Sequence, residues 1–312
     1  MMKKVISTLI AAALCMGFAF AQDLNQATDT YNNGATALST GDKAGALNYF
    51  TQALEIASKL GEPGVEIANN CKNVIPNIHL EIAKDFAREA QYDQAVAKLK
   101  ETVSVAGQFG DEGVAASAKE LIPQILMQKG SSLLGAKDFA GAAEAYKAVL
   151  AENPANAQAA LRLGQALNGA GDAEGAIAAF EQAAANGQEK AAHKQISVIH
   201  LRKAAGALKA KDPKAAVESA NKAIEFDENA TQAYYIAGNA SSILKKNNDA
   251  IGYFEKYLSL APNAKNAAQI AFTVAALYQQ NGNKEKAKEY YQKVLTDPKL
   301  GPEAQKQVAA LK

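Results

Sequence analysis

AQAALRLGQALNGAGDAEGAIAAFEQAAANGQ, residues 157–188, reads as two helices with one break between them. The first half, Gln158 to Leu167, is built largely from strong helix formers, Ala, Leu, Arg and Gln. Gly169-Ala170-Gly171-Asp172 interrupts it. Beyond the break, Ala176, Ile177, Phe180 and Ala183 fall on one helical face. Asp172 stands where an N-cap belongs, because its carboxylate can accept from first-turn amides that lack an intrahelical partner.

The same phrase returns along the chain. A small residue followed four positions later by a larger apolar one occurs at Ala46/Phe50, Ala95/Leu99, Ala142/Tyr146, Ala176/Phe180, Ala250/Phe254 and Ala287/Tyr291, with Ala216/Ala220 as the reduced form in the fifth unit. Those leading alanines are separated by 49, 47, 34, 40, 34 and 37 residues. Self-similarity of this kind fixes the architecture before any single residue is interpreted, because one helix pair cannot bury its own apolar face and must stack on its neighbours. A capping Asp precedes the alanine by four residues at Asp42, Asp138 and Asp212 as well, and Pro213 follows Asp212 at the first helical position, where its missing N–H costs nothing. Pro154, Pro262 and Pro298 fall at exits from second helices, while Pro76 and Pro123 fall near starts of first helices. A proline inside an uninterrupted helix would cost about 3 kcal/mol.

Leu163-Gly164 in a first helix, Gly171-Asp172 at the turn, Ala176 and Phe180 at the crossing, Ala183 beyond, and Pro154 or Pro262 at the exit resemble the tetratricopeptide repeat. The small first-helix residue recurs as Gly34, Ala83, Gly130, Gly164, Ala204, Gly238 and Ala275. The resemblance covers nearly all of residues 25–300. It implies an all-α, right-handed superhelical α-solenoid of about seven helix-turn-helix repeats, with the aromatic of each second helix filling the gap toward the next repeat. The chain has no tryptophan, so the family's large first-helix residue becomes His79, Leu126, His200 or Tyr234. Ala220 in place of an aromatic predicts that the fifth unit is the most loosely packed.

The organisation that follows is a signal peptide over 1–21, three long repeats over 22–154, four more over 155–300 and a capping helix over 301–312. In the long units Gly61-Glu62-Pro63-Gly64-Val65 parallels Gly110-Asp111-Glu112-Gly113-Val114. Both internal prolines stand 19 residues before their alanine, which predicts first helices extended at their N-terminal ends and kinked at the proline. The spacing of 40 at Asn186-Gly187-Gln188-Glu189-Lys190 predicts a longer loop, an extended helix start or a flexible joint.

Met1-Met2-Lys3-Lys4, an apolar run from Val5 to Ala19 and the exit Ala19-Phe20-Ala21 read as a cleaved secretory leader. The run is shorter than a bilayer-spanning helix needs, so no stable membrane span is expected after cleavage. Leu14 precedes Cys15 where a lipoprotein signal has a small residue, so lipid attachment is not expected. Cleavage leaves Cys71 alone, among Ile67, Ala68 and Val74, as a buried small hydrophobe. The formal net charge of +1, with no long run of either sign, argues against nucleic-acid binding.

No phosphate loop, nucleophile elbow or zinc-ligand spacing is present, so no catalytic residue, metal or cofactor is expected. His79 and His200 occupy matching packing positions. His193, seven residues before His200, has no carboxylate or cysteine to complete a ligand set. What remains is the groove of first helices, where the resembled family binds extended peptides or partner helices. Projecting one face of each first helix offers Tyr31, Lys84, Arg88, Gln165, Asn168, Arg202, Tyr235, Asn239 and Phe272 as groove residues. Interleaved amide and aromatic groups can hold a peptide backbone and pocket its side chains. All three arginines, Arg88, Arg162 and Arg202, fall in first helices. They suit either a ligand carboxylate or ordinary pairing along the helix, as of Arg88 with Glu81 or Asp85. The expected function is a non-enzymatic scaffold that binds a protein or peptide in the periplasm or cell envelope of a Gram-negative bacterium. The alternative is a small-molecule or glycan-binding accessory protein, using the groove or a pocket near residues 186–193.

Overall fold

The computed structural model describes residues 2–311, with side chains from residue 21 onward. The expected leader therefore lies, but for Ala21, outside the residues whose side chains are described. Among the described residues the regular elements are all helical. They fall into two compact units, 1–154 and 155–312.

The first unit holds three helix pairs: α1 (Met2–Ser39) with α2 (Lys43–Lys59), α3 (Val65–Arg88) with α4 (Tyr92–Phe109), and α5 (Glu112–Gly135) with α6 (Phe139–Glu152). The second holds α7 (Ala157–Ala170) with α8 (Ala173–Ala183), α9 (Glu189–Lys209) with α10 (Pro213–Phe226), α11 (Thr231–Ile243) with α12 (Asn247–Leu260), and α13 (Ala267–Gln280) with α14 (Lys284–Gln292), followed by α15 (Gly301–Ala310). Within each unit, every second helix also packs on the next first helix, the arrangement of an α-solenoid of tetratricopeptide type.

Each pair closes on one contact. The small first-helix residue and the large second-helix residue lie sixteen positions apart in all seven repeats, from Gly34/Phe50 to Ala275/Tyr291. A Cβ built on Gly164 would stand 2.6 Å from Phe180 ring carbons, and the distances at Gly130/Tyr146 and Gly238/Phe254 are the same. At these three repeats the ring fits because the first helix offers bare backbone, whereas Tyr291 of the last repeat is paired with Ala275. The aromatic approaches the first helix of its own repeat, and Phe50 and Phe254 also share core clusters with residues of the next first helix. Where the knob is smaller, the seat is alanine: Ala83 with Leu99, and Ala204 with Ala220. The looseness expected at Ala220 does not show as exposure, since Ala204 and Ala220 are both fully buried. The buried core cluster they belong to consists of seven alanines and Ile236.

The turns are equally regular. Five positions before each leading alanine the backbone is left-handed, at Gly41, Ala90, Lys137, Gly171, Lys211, Lys245 and Gly282. Glycine adopts that conformation without a Cβ penalty, and four of the seven repeats place another residue there against the tighter preference. The following residue caps the second helix: Asp42, Asp138, Asp172, Asp212 and Asn283 each accept from a first-turn amide. Gln91 and Lys246 occupy the same place without a side-chain bond.

Helices α3 and α5 run unbroken through Pro76 and Pro123. Both helices begin eleven residues earlier, at Val65 and Glu112, so the prolines sit mid-helix rather than near a start. The extra length of the 40-residue interval lies in the segment Ala184–Gln188, with Gly187 at φ +98°, and in the 21-residue α9 that follows it. Helix α14 stops at Gln292, short of Pro298.

Cys71 is fully buried against Ile75 and Ile78, and burial pushes its thiol up to about 11. At pH 8 roughly one thiol in a thousand would be ionised. With Cys15 replaced by serine, the folded chain is expected to give no reaction with Ellman's reagent within an hour and one equivalent in urea. Rapid labelling of the folded chain would contradict the packing around α3.

Candidate groove sites on the first helices

In the first unit the sequence points to Tyr31, Lys84 and Arg88. Tyr31 sets its ring edge-on against Phe50, with centroids 5.1 Å apart, so it is half-buried in the core of its own repeat. Lys84 and Arg88 lie on one face of α3 within an ion-pair network. Lys84 Nζ is 2.7 Å from Glu81, Arg88 Nη1 is 2.5 Å from Asp85, and Lys43 of α2 reaches Asp85 at 2.5 Å. The Lys84 ammonium holds the Glu81 carboxyl below its ordinary range, and the Lys43 ammonium does the same to Asp85. The Arg88 side chain nevertheless remains two-thirds exposed, and its planar fork has donors beyond the one Asp85 uses.

Beside these cations is a largely apolar cavity of about 290 Å³. Ala83 and Ala87 of α3, Leu99 of α4, and Leu121 and Ile125 of α5 form its walls, with Lys84, Arg88 and Gln128 also lining it. Leu121, Ile125 and Gln128 were not anticipated from the sequence. Their signal was present in Leu99, which stands where four other repeats carry Phe or Tyr over a glycine and so leaves room beside Ala83.

In the second unit the predicted residues divide. Arg202 of α9 donates from Nη1 to Asn168 Oδ1 of α7 at 3.2 Å, which joins the exposed faces of two successive first helices. Gln165 accepts from Arg162 at 3.1 Å within α7. Asn239 is half-buried on α11. Tyr235 and Phe272 act largely in packing: Tyr235 lies 5.5 Å from the Tyr257 ring, and Phe272 stands edge-on to Tyr291 at 5.0 Å. The polar members thus remain on the first-helix surface, while all three aromatic ones, Tyr31, Tyr235 and Phe272, are shared with the core.

The histidines serve as packing groups. His79 is buried and its imidazole is held below its ordinary pKa, chiefly by desolvation, with Nδ1 3.6 Å from Glu101. His200 stacks on Phe226 and His193 meets the same ring edge-on at 5.2 Å. Among the described residues no group of three or more His, Cys, Asp or Glu is placed to hold a metal ion. Among them also, no helix is long and apolar enough to cross a membrane.

Residues 127–191, 231–264 and 268–296 match the tetratricopeptide repeat family, so the chain carries tetratricopeptide repeats over these stretches, which span less than half of it. No curated protein matches the sequence. Among solved structures the chain is similar to MamA, at 22% identity over 61% of this chain and 96% of that one, with a TM-score of 0.37. It is similar to YrrB, a tetratricopeptide-repeat protein with an unusual peptide-binding site, at 21% identity over 58% and 91%, with a TM-score of 0.34. PilW, a type IV pilus biogenesis factor, aligns at 16% identity over 74% and 98%, with a TM-score of 0.31. Likenesses this distant carry no binding property over to the present chain.

Proposed function

From a chain that carries tetratricopeptide repeats, we propose a non-enzymatic scaffold that binds an extended peptide or partner segment along its first helices. The observation that carries the reading is the apolar cavity beside Lys84 and Arg88. It offers room for one apolar side chain, with cationic donors at its edge for a neighbouring carboxylate and Gln128 for a backbone group. We further propose that the protein works in the envelope of a Gram-negative bacterium, on the support of the basic, apolar and A-x-A pattern of its first 21 residues.

Selection of a random peptide library against the full chain is expected to enrich sequences pairing a large apolar residue with an acidic one. Lys84→Ala with Arg88→Ala should weaken such peptides about tenfold or more. Stability should change by less than about 1 kcal/mol, because these pairs are solvent-exposed and weak. Peptides that bind the double variant as tightly as the parent would remove the groove of the first unit from the account. Tyr235→Ala is a poorer probe, since the ring also packs on Tyr257.

A second reading, a small-ligand accessory protein, has one observation behind it. A cavity of about 430 Å³ near the 184–188 turn is lined by Glu189, Lys190, His193, Lys194, Phe226 and Asp227. Saturable binding of an envelope glycan that fails on Phe226→Ala would favour it.

A further inference from the structure

A cavity of about 500 Å³, lined by none of the predicted groove residues, lies in a wedge among α12, the start of α13 and α14. Leu258, Pro262, Ala268 and Ala271 give it apolar walls, and Glu255 and Tyr290 give it polar ones. Glu255 is held in an unusual way. Its Oε1 accepts from two phenols, Tyr278 at 2.8 Å and Tyr290 at 3.0 Å, which tie together α12, α13 and α14. Burial and the Glu255 hydrogen bond push Tyr278 up to about 12 and Tyr290 upward as well, so both remain donors at neutral pH.

Among the described residues Glu255 forms no ion pair, and only its Oε1 accepts a hydrogen bond. Lys293 at the rim does not neutralise it: its ammonium lies 2.9 Å from Glu289 and 3.9 Å from the centroid of the Tyr290 ring. Lys286 is likewise paired with Glu289. One face of the Tyr290 ring thus already carries a cation, as an aromatic quadrupole favours. Glu255 thus feels Lys286 only at longer range and has no ammonium in direct contact, which leaves a partly desolvated carboxylate with one oxygen open to a counter-charge.

We propose that this wedge receives a basic side chain, arginine or lysine, of a partner protein, the aliphatic stem lying on Leu258, Pro262 and Ala268 and the charge meeting Glu255. Long basic side chains are suited to this because their stems are apolar and only their tips need a polar partner. The site does not rest on the first-helix groove and stands or falls separately from it.

The test is a nuclear magnetic resonance titration of the full chain with acetyl-Gly-Arg-Gly-amide, its citrulline counterpart and free L-arginine. Saturable shifts at the Ala268 and Ala271 amides are expected with the arginine peptide. The citrulline peptide, which keeps the shape and loses the charge, should bind about tenfold more weakly. Glu255→Gln leaves an acceptor for both phenols and should weaken the arginine peptide by a similar factor. Should that variant unfold, Ala268→Leu provides the second arm: it fills the cavity, keeps Glu255 and should also abolish the shifts. Equal binding of the citrulline peptide, absence of saturable shifts, or indifference to both variants would overturn the proposal. Binding of free arginine without the peptide would replace the protein partner by a metabolite.

Discussion

Phe180→Ala is expected to lower stability by about 3–5 kcal/mol, the range for truncating a buried aromatic side chain. Phe180 is fully buried, and its ring sits so close to the backbone at Gly164 that a Cβ there would come within 2.6 Å of it. Neither neighbour can move in to refill the space. On one side the seat is main chain; along its own helix the buried residues are Ala176, Ala179 and Ala183, whose side chains are short. The second unit should therefore melt at lower temperature and at lower urea concentration, with helicity retained at low denaturant. An unchanged melt would mean that Phe180 is not the closing residue of its repeat.

The second large effect is one of sign. Gly164→Ala adds a Cβ 2.6 Å from the Phe180 ring, so it should destabilise the protein by about 1–3 kcal/mol as overpacking, even though alanine is the better helix former by about 1 kcal/mol. In a Phe180→Leu background the ring is gone and the same substitution should become neutral or stabilising. That double variant recreates the Ala83/Leu99 pair of the second repeat, which the chain already uses. A double-mutant cycle in urea should thus give a coupling of about 1–3 kcal/mol between positions sixteen residues apart. Additive effects would show that the two residues do not share one space.

The repeat architecture was legible because its signals are local and repeated. An alanine, an aromatic four residues later and an Asp four residues earlier each state a helix face or a cap, and Asp42, Asp138, Asp172 and Asp212 all cap as their positions imply. The close seat of the ring on the glycine of its own repeat was not legible, because spacing along one helix does not specify every neighbour a ring meets. The left-handed residue at each turn was hidden for a related reason. Ala90, Lys137, Lys211 and Lys245 take that conformation where composition alone would call for glycine, and each is followed by an amide that bonds back five residues, as Gln91 does to Phe86 and Lys246 to Ser241.

The candidate sites were legible in part. Lys84 and Arg88 emerged from a helical projection and do border a cavity, whose walls come from α4 and α5 and depend on the smaller Leu99. Tyr31, Tyr235 and Phe272 emerged from the same projection, yet each spends much of its ring on a neighbouring aromatic. A one-dimensional projection cannot separate a half-buried ring that seals a repeat from one that waits for a ligand. The tyrosine-bound Glu255 lay beyond sequence reasoning altogether, since Tyr278 and Tyr290 reach it from two other helices.

The most direct measurement is carbene footprinting of the full chain with and without a peptide selected as above. The account predicts loss of labelling on the first helices of the first unit, centred on Lys84, Arg88, Leu121 and Gln128, with α4 and α6 labelled as before. Protection confined to the second helices, or spread evenly over both, would contradict the claim that this protein holds its partner along the first-helix face.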